Sequence, residues 1–374
     1  MSTLNMRTEL EKHNRIVVKV ESSLLTSSGE NFIREICEEI SFLMANNKEI
    51  ILVTSGAISQ GMKIQEISER PTDTKKLQAL AAIGQQRLMH KYQEEFLKHN
   101  NHTAQILITH NDINDRVRYL NIKGTLEELM KNNIIPIINE NDVVSTEEIK
   151  LGDNDNLASM IANITNADLM IILTDQDGMF DKNPDIHKDS VLIESINTKD
   201  LNKYQSNFNT QSETGTGGFT TKIQAIKRAA LSNTYCVVAN GNEKSVLKNI
   251  LNKKNIGTLF IPDIKKVNAK KQWLDTIDNS GAIIIDDGAC LALINDNKSL
   301  LAIGVIKIEN NFQKGDVIKC KDTNGKCVAK GITNYSSEDI EKIKGKTSKE
   351  IVNELGSLYY KEIINRDDLI IIEI

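Results

Sequence analysis

No C-x-x-C pair occurs among the five cysteines, Cys37, Cys236, Cys290, Cys320 and Cys327. Their odd number and scattered spacing argue against both a disulfide framework and a cysteine zinc site. Neither sign of charge dominates: 46 basic against 51 acidic side chains leave a net charge of -5. That balance removes the electrostatic basis for bulk nucleic-acid binding. No apolar run is long enough to span a bilayer, and residues 1–14 lack the apolar core of a signal peptide, so no membrane partner and a reducing cytoplasm are expected. Internal repeats and extended low-complexity tracts are also missing. What remains is an ordinary globular composition, 40% hydrophobic and 26% charged, in 374 residues, enough for two domains.

From Arg15 onward short β-branched runs alternate with segments of helical period. Residues 16–20, 50–54, 104–109, 134–138, 169–174 and 235–239 read as strands; 31–46, 75–100, 119–131, 156–164 and 222–231 read as helices. This is the pattern of an open, mainly parallel sheet sandwiched by helices, and the non-alternating strands fit a sheet covered on both faces. The rhythm stops near Pro262. Residues 263–280 are lysine-rich, with Lys265, Lys266, Lys270 and Lys271 and the single Trp273, and read as a solvated linker. Residues 281–374 read as a small, mostly β domain with turn signals at Asp287-Gly288, Lys314-Gly315 and Asn324-Gly325, a helical stretch over 336–355 and a last apolar run over 369–374.

Ligands of open α/β sheets bind at the carboxyl ends of the strands. There this chain places Lys19, Thr54-Ser55-Gly56-Ala57, Asn139 to Asp142, and Thr174-Asp175. A cation such as Lys19 ending an apolar strand is costly unless it meets an anion or snorkels to solvent. The loop Thr214-Gly215-Thr216-Gly217-Gly218-Phe219-Thr220-Thr221 leads to Lys222 and a helix, a possible phosphate cradle that lacks Walker A spacing. The segment Gly152 to Asn156 fails as a calcium loop. It fits either a helix N-cap or a catalytic element in which Asp153 holds two lysines and Asn154 bonds a substrate. Ser55 has no G-x-S-x-G flanks and no histidine triad, so a ligand hydrogen bond shared with the Gly56 amide is the expected role.

Seven blocks, V-V-K-V-x-S-S-L-L, V-T-S-G-A-I-S-Q-G, G-Q-x-R-L, I-P-I-I-N-E-N-D, I-K-L-G-D-N-D-N-L, L-T-D-Q-D-G-M and T-G-T-G-G-F-T-T-K, occur in order over residues 15–262. Together they resemble the glutamate 5-kinase branch of the amino acid kinase family, and the part from Gly281 resembles a PUA domain. The resemblance implies ATP-dependent phosphorylation of the side-chain carboxylate of L-glutamate, the first step of proline synthesis. It further implies that Lys19 and Lys222 flank the transferred group and that Asp153 organises them. Glutamate would be held by Ser55, Asp142 and Asn154, with Asn139 and the Gly56-Ala57 backbone nearby. ATP would be held by Lys19, Thr174, Asp175, Thr216, Gly217, Gly218, Phe219, Thr220, Thr221 and Lys222. Mg2+ is expected with the nucleotide and without a dedicated protein cage; feedback inhibition by proline and a dimer or tetramer are implied as well. Asp142 suits the ammonium group of a free amino acid.

Alternatives of the same fold are kinases of N-acetylglutamate, aspartate, carbamate or a nucleoside monophosphate. An RNA-binding role through the C-terminal part is disfavoured by 13 basic against 15 acidic residues over 281–374. One position departs from the resemblance: Glu21 stands where the family usually has glycine, and its side chain is expected to turn to solvent or pair with Lys19. Glu140, Glu147 and Glu148 are expected to stay solvated.

Overall fold

A computed structural model describes residues 7–27, 29–145, 154–182, 184, 186–201, 203, 219–262, 281–296, 298–347, 350–351, 354 and 360–372. The chain divides into two compact units, Met1–Val267 and Asn268–Ile374. The expected linker at 263–280 lies outside the described residues.

The first unit is built on eight strands: β1 (Arg15–Val20), β2 (Glu49–Val53), β3 (His102–Ile108), β4 (Ile134–Glu140), β5 (Leu169–Thr174), β6 (Ser195–Asn197), β7 (Tyr235–Asn240) and β8 (Thr258–Ile261). Their order is β3-β4-β2-β1-β5-β7-β8-β6, parallel throughout except for the β7–β8 pair. β1 lies between β2 and β5 with Val18 opposite both Leu52 and Ile171. Its side chains are buried on both faces from Ile16 to Val20, which explains the unbroken apolar run. Around the sheet run α1 (Ser22–Ser27), α2 (Gly29–Ala45), α3 (Ala57–Ile64), α4 (Thr74–Leu97), α5 (His110–Asn114), α6 (Arg116–Lys131), α7 (Asn154–Thr165), α8 (Phe219–Ala230) and α9 (Val246–Leu251).

The five long helices expected from periodicity are all present, with boundaries moved by up to three residues. Short α1, α3, α5 and α9 and the strands β6 and β8 have no strong period of their own and escape a pattern reading. The turns from helix to strand share one device. Asn47, Asn100, Asn133, Asn166 and Asn233 each adopt a left-handed conformation, φ between 51° and 61°, at the exits of α2, α4, α6, α7 and α8. Asparagine tolerates this region and can replace the glycine that ends many helices.

The second unit has five strands, β9 (Gly281–Ile285), β10 (Val305–Glu309), β11 (Val317–Lys321), β12 (Cys327–Thr333) and β13 (Ile364–Ile371), in the order β10-β9-β11-β12-β13. The helices α10 (Asp287–Ile294) and α11 (Ser337–Ile343) accompany its own apolar core. Gly315 and Gly325 take the positive φ of the expected turns, 92° and 83°. Asp287-Gly288, read as a turn, instead opens α10, because the Asp286 carboxylate accepts a hydrogen bond from the Ala289 amide at 2.6 Å and caps the helix.

α3 and α4 meet backbone to backbone. A Cβ on Gly84 would come within 1.8 Å of the Ala57 carbonyl oxygen, and one on Gly61 within 2.0 Å of the Leu80 carbonyl oxygen. This approach sets the α3 start and Gln85 beside each other. Gly84→Ala is expected to lower stability by about 1–3 kcal/mol through overpacking, read as a reduced urea midpoint.

Candidate active site

The carboxyl ends of β1, β2, β4 and β5 converge with the first turns of α7 and α8. Lys19, the penultimate residue of β1, is buried, and its Nζ lies 2.5 Å from Asp155 Oδ1. Lys222, in the first turn of α8, places its Nζ 3.4 Å from Asp155 Oδ2. One carboxylate therefore touches two ammonium groups far apart in sequence. Burial alone would raise the Asp155 pKa, but the charges and hydrogen bonds of Lys19 and Lys222 hold it below the usual carboxylate value. Its place in the first turn of α7 adds the favourable potential of a helix N-terminus.

Asp153, expected to steady the lysines, lies outside the described residues. The carboxylate seen to touch both is Asp155, because α7 begins at Asn154 and carries Asp155 in its first turn at the strand ends. Glu21 differs from expectation. Its carboxylate faces inward and meets Lys222 instead of Lys19, with Oε1 2.7 Å from Nζ. The Glu21 amide donates to the Leu173 carbonyl oxygen at 3.1 Å, so the residue prolongs the β1–β5 pairing and stands at the strand end.

Beside the charged group lies a chain of buried amides. Asn154 Nδ2 donates to the Thr54 carbonyl at 2.7 Å and to Asn139 Oδ1 at 2.8 Å, and approaches Ser55 Oγ at 3.2 Å. Asn139 Nδ2 in turn donates to Gln85 Oε1 at 2.8 Å. The Thr54 hydroxyl meets the buried Tyr92 hydroxyl at 3.1 Å, which ties the end of β2 to α4. Gly56 follows with φ 91° and caps α3 at Ala57. Such a network holds Ser55, Asn139 and Asn154 in one arrangement, because an unpaired buried amide is costly. Gln85 was not singled out as a site residue, although it sits in the G-Q-x-R-L block; the contact with Asn139 spans 54 positions and has no local signature.

A cavity of about 290 Å³ opens alongside, lined in part by Ala57, Gln85, Gln105, Glu140, Asp142 and Val143. Asp142 is buried there, and its pKa is pushed up to about 7, first by burial and then by the charge of Glu140, with Arg70 opposing. Glu140, expected to be solvated, is buried as well and accepts a hydrogen bond from Ser145 Oγ at 2.5 Å. It continues β4 as an inward position, which its charge conceals. Glu147 and Glu148 lie outside the described residues. Of the expected nucleotide residues, Thr174 is buried at the end of β5, Asp175 is exposed, and Phe219, Thr220 and Thr221 begin α8; Thr216, Gly217 and Gly218 lie outside the described residues.

A centre with paired lysines, a bridging carboxylate and an adjoining cavity that holds Gln85, Glu140 and Asp142 fits transfer of an anionic group to a small polar acceptor. Comparison with known proteins agrees. The amino acid kinase family model matches residues 14–240 and the PUA domain model residues 281–355. A glutamate 5-kinase of Marinomonas sp. (strain MWYL1) is 42% identical, covering 99% of this chain and 100% of that protein. A glutamate 5-kinase of Caldanaerobacter subterraneus subsp. tengcongensis is 44% identical over 96% of this chain and 98% of that protein. Among solved structures, N-acetylglutamate synthase from Neisseria gonorrhoeae shares the fold, with a TM-score of 0.50 at 13% identity over 70% of this chain and 63% of that one. The chain belongs to the amino acid kinase family and, within it, to the glutamate 5-kinases.

Removing the bridging charge should be felt in the fold itself. Asp155→Asn leaves two buried ammonium groups without their shared carboxylate, and the expected loss is about 3–5 kcal/mol, measured by urea unfolding without ligands.

Proposed function

We propose that this protein transfers the γ-phosphoryl group of ATP to the side-chain carboxylate of L-glutamate, giving L-glutamate 5-phosphate, the first step of proline biosynthesis. The observation that carries this reading is Asp155 touching both Lys19 and Lys222 beside the buried amide network. A glutamate carboxylate oxygen attacks the γ-phosphorus in line as the bond to the leaving ADP oxygen breaks. No proton has to be moved, so the chain needs no general base. Lys19 and Lys222 face the charge that spreads over the phosphoryl oxygens, and Asp155 holds both ammonium groups in place before the substrates arrive.

Ser55, Asn139 and Asn154 supply hydrogen bonds to glutamate, while the Asp142 carboxylate pairs with its ammonium group. Thr174, Asp175 and the 216–222 segment belong to the nucleotide side, with Phe219, Thr220 and Thr221 at the N-terminus of α8. Mg2+ accompanies the nucleotide and neutralises its phosphates. Asp155 and Glu21 are both ion-paired, so the phosphates and water would supply most of its ligands. Inhibition by proline, assembly into a dimer or tetramer and a cytoplasmic location belong to the same reading. No described helix is long and apolar enough to cross a membrane.

Incubation with L-glutamate, ATP, Mg2+ and hydroxylamine should yield glutamyl hydroxamate, which only an acyl phosphate product gives. Hydroxamate or ATP consumption found with N-acetylglutamate, aspartate, carbamate or a nucleoside monophosphate in place of glutamate would move the assignment to that acceptor.

The Asp142 contact adds a pH signature. In the ligand-free protein Asp142 ionises near pH 7, and only the ionised form attracts an ammonium group. The KM for glutamate should therefore fall as pH rises from 6 to 8, approaching tenfold per unit at the acid end. Asp142→Asn should flatten this profile and raise the KM at pH 8 by about 10- to 100-fold, with the KM for ATP little changed. A pH-independent KM in the native protein would rule the contact out.

A further inference from the structure

Among the described residues, four charged side chains meet at the ends of β1 and β5 and the starts of α7 and α8: Lys19, Lys222, Asp155 and Glu21. These two ammonium groups and two carboxylates sum to zero. A phosphoryl-transfer centre needs the opposite, an excess of positive charge where the moving group passes. Asp155 cannot be the surplus anion, because it lies innermost, is almost fully buried, and touches both lysines. Glu21 is different. It contacts Lys222 on the outer side, retains 21% side-chain exposure, and sits on the rim at the end of β1.

Its carboxylate also occupies the kind of place a phosphoryl oxygen would take. Oε1 lies 2.7 Å from Lys222 Nζ, the distance of a strong charge-assisted hydrogen bond. Burial raises the pKa of Glu21, yet the charges of Lys19 and Lys222 and the hydrogen bond from Lys222 outweigh it and hold the carboxyl below its ordinary value. Glu21 thus holds a group that the nucleotide would use.

We infer that Glu21 is a positioning residue that acts as a resident substitute for the phosphoryl group: it holds Lys222 in the nucleotide-free site and must yield that ammonium group when ATP binds. This rests on the kinase reading above and deepens it, because it makes nucleotide affinity at this site a competition between an internal carboxylate and the γ-phosphate. While both anions are near Lys222 they repel each other, so the free energy of binding is reduced by the cost of displacing Glu21. A divalent cation eases that repulsion, which ties nucleotide affinity to Mg2+ more tightly than a neutral residue at position 21 would.

The test compares the full-length native chain with Glu21→Gln, which keeps the shape, and Glu21→Gly, which removes the side chain. Steady-state kinetics with glutamate and direct calorimetric titration with ATP are both run at low and high Mg2+. The expected result is a KM and Kd for ATP lowered at least threefold in both variants, with the larger gain at low Mg2+ and an unchanged KM for glutamate. Unchanged or raised ATP constants in folded variants would overturn the inference and make Glu21 a structural residue or a productive ligand. If Glu21→Gly is poorly folded by its melting temperature, Glu21→Gln alone decides. A native chain that binds ATP but forms no hydroxamate would refute the glutamate reading and not this one, because the calorimetric comparison still reports on Glu21.

Discussion

The contact on which the rest of the site depends is the single carboxylate of Asp155 between Lys19 and Lys222. Two buried ammonium groups near each other would expel one another or lose their protons in a low-dielectric interior. With Asp155 between them, both can stay charged and in reach of a common point. The sheet order makes this possible. β1 runs between β2 and β5, so Lys19 emerges at the centre of the sheet, and α7 and α8 begin just beyond the same edge. A shift of α7 by one residue would turn Asp155 about 100° away and open the centre.

The amide network answers the same demand on the acceptor side. Gln85, Asn139, Asn154 and Ser55 come from α4, β4, α7 and the loop after β2, and each bond fixes one element against another. Asn154 and Asp155 are neighbours in the first turn of α7, so the network that shapes the acceptor pocket and the ion pair that faces the donor share one helix end. Movement of that helix end would disturb both halves of the reaction together. The close approach of α3 and α4 through Gly61 and Gly84 belongs to this arrangement, because it brings Gln85 up to β4.

Much of this was legible in the sequence and some was not, for physical reasons. Strands covered on both faces announce themselves by apolar runs, and long helices by their period, so β1, β2, β4, β5, β7 and the five long helices are legible; β3, a half-exposed edge strand, is marked only by its short Ile-Leu-Ile run. The polar strand ends marked Lys19, Ser55, Asn139 and Asp142 as a group, since such residues are expensive beside a core. Spacing does not reveal Asp155 as the carboxylate between the lysines, because that depends on where the first turn of α7 begins. Glu140 was misjudged for a related reason: its charge suggests solvent, whereas β4 carries it inward to Ser145 and the cavity. Gln85 was hidden because its partner is remote in sequence.

Glu21 shows how a single residue can change the electrical balance of an otherwise intact site. The lysines, Asp155 and the amide network are assembled as the fold requires, yet the fourth charge cancels the excess that the other three provide. The side chain could have turned to solvent, as sequence reasoning prefers for a carboxylate beside a phosphate site. It turns inward because Lys222 offers a charged partner at the end of an extended strand, and leaving a buried ammonium half-satisfied costs more than ordering one glutamate. Charge neutrality in the empty site and charge complementarity in the filled one are competing requirements. A carboxylate at the rim can meet the first and yield its partner for the second, whereas the fully buried Asp155 must serve both.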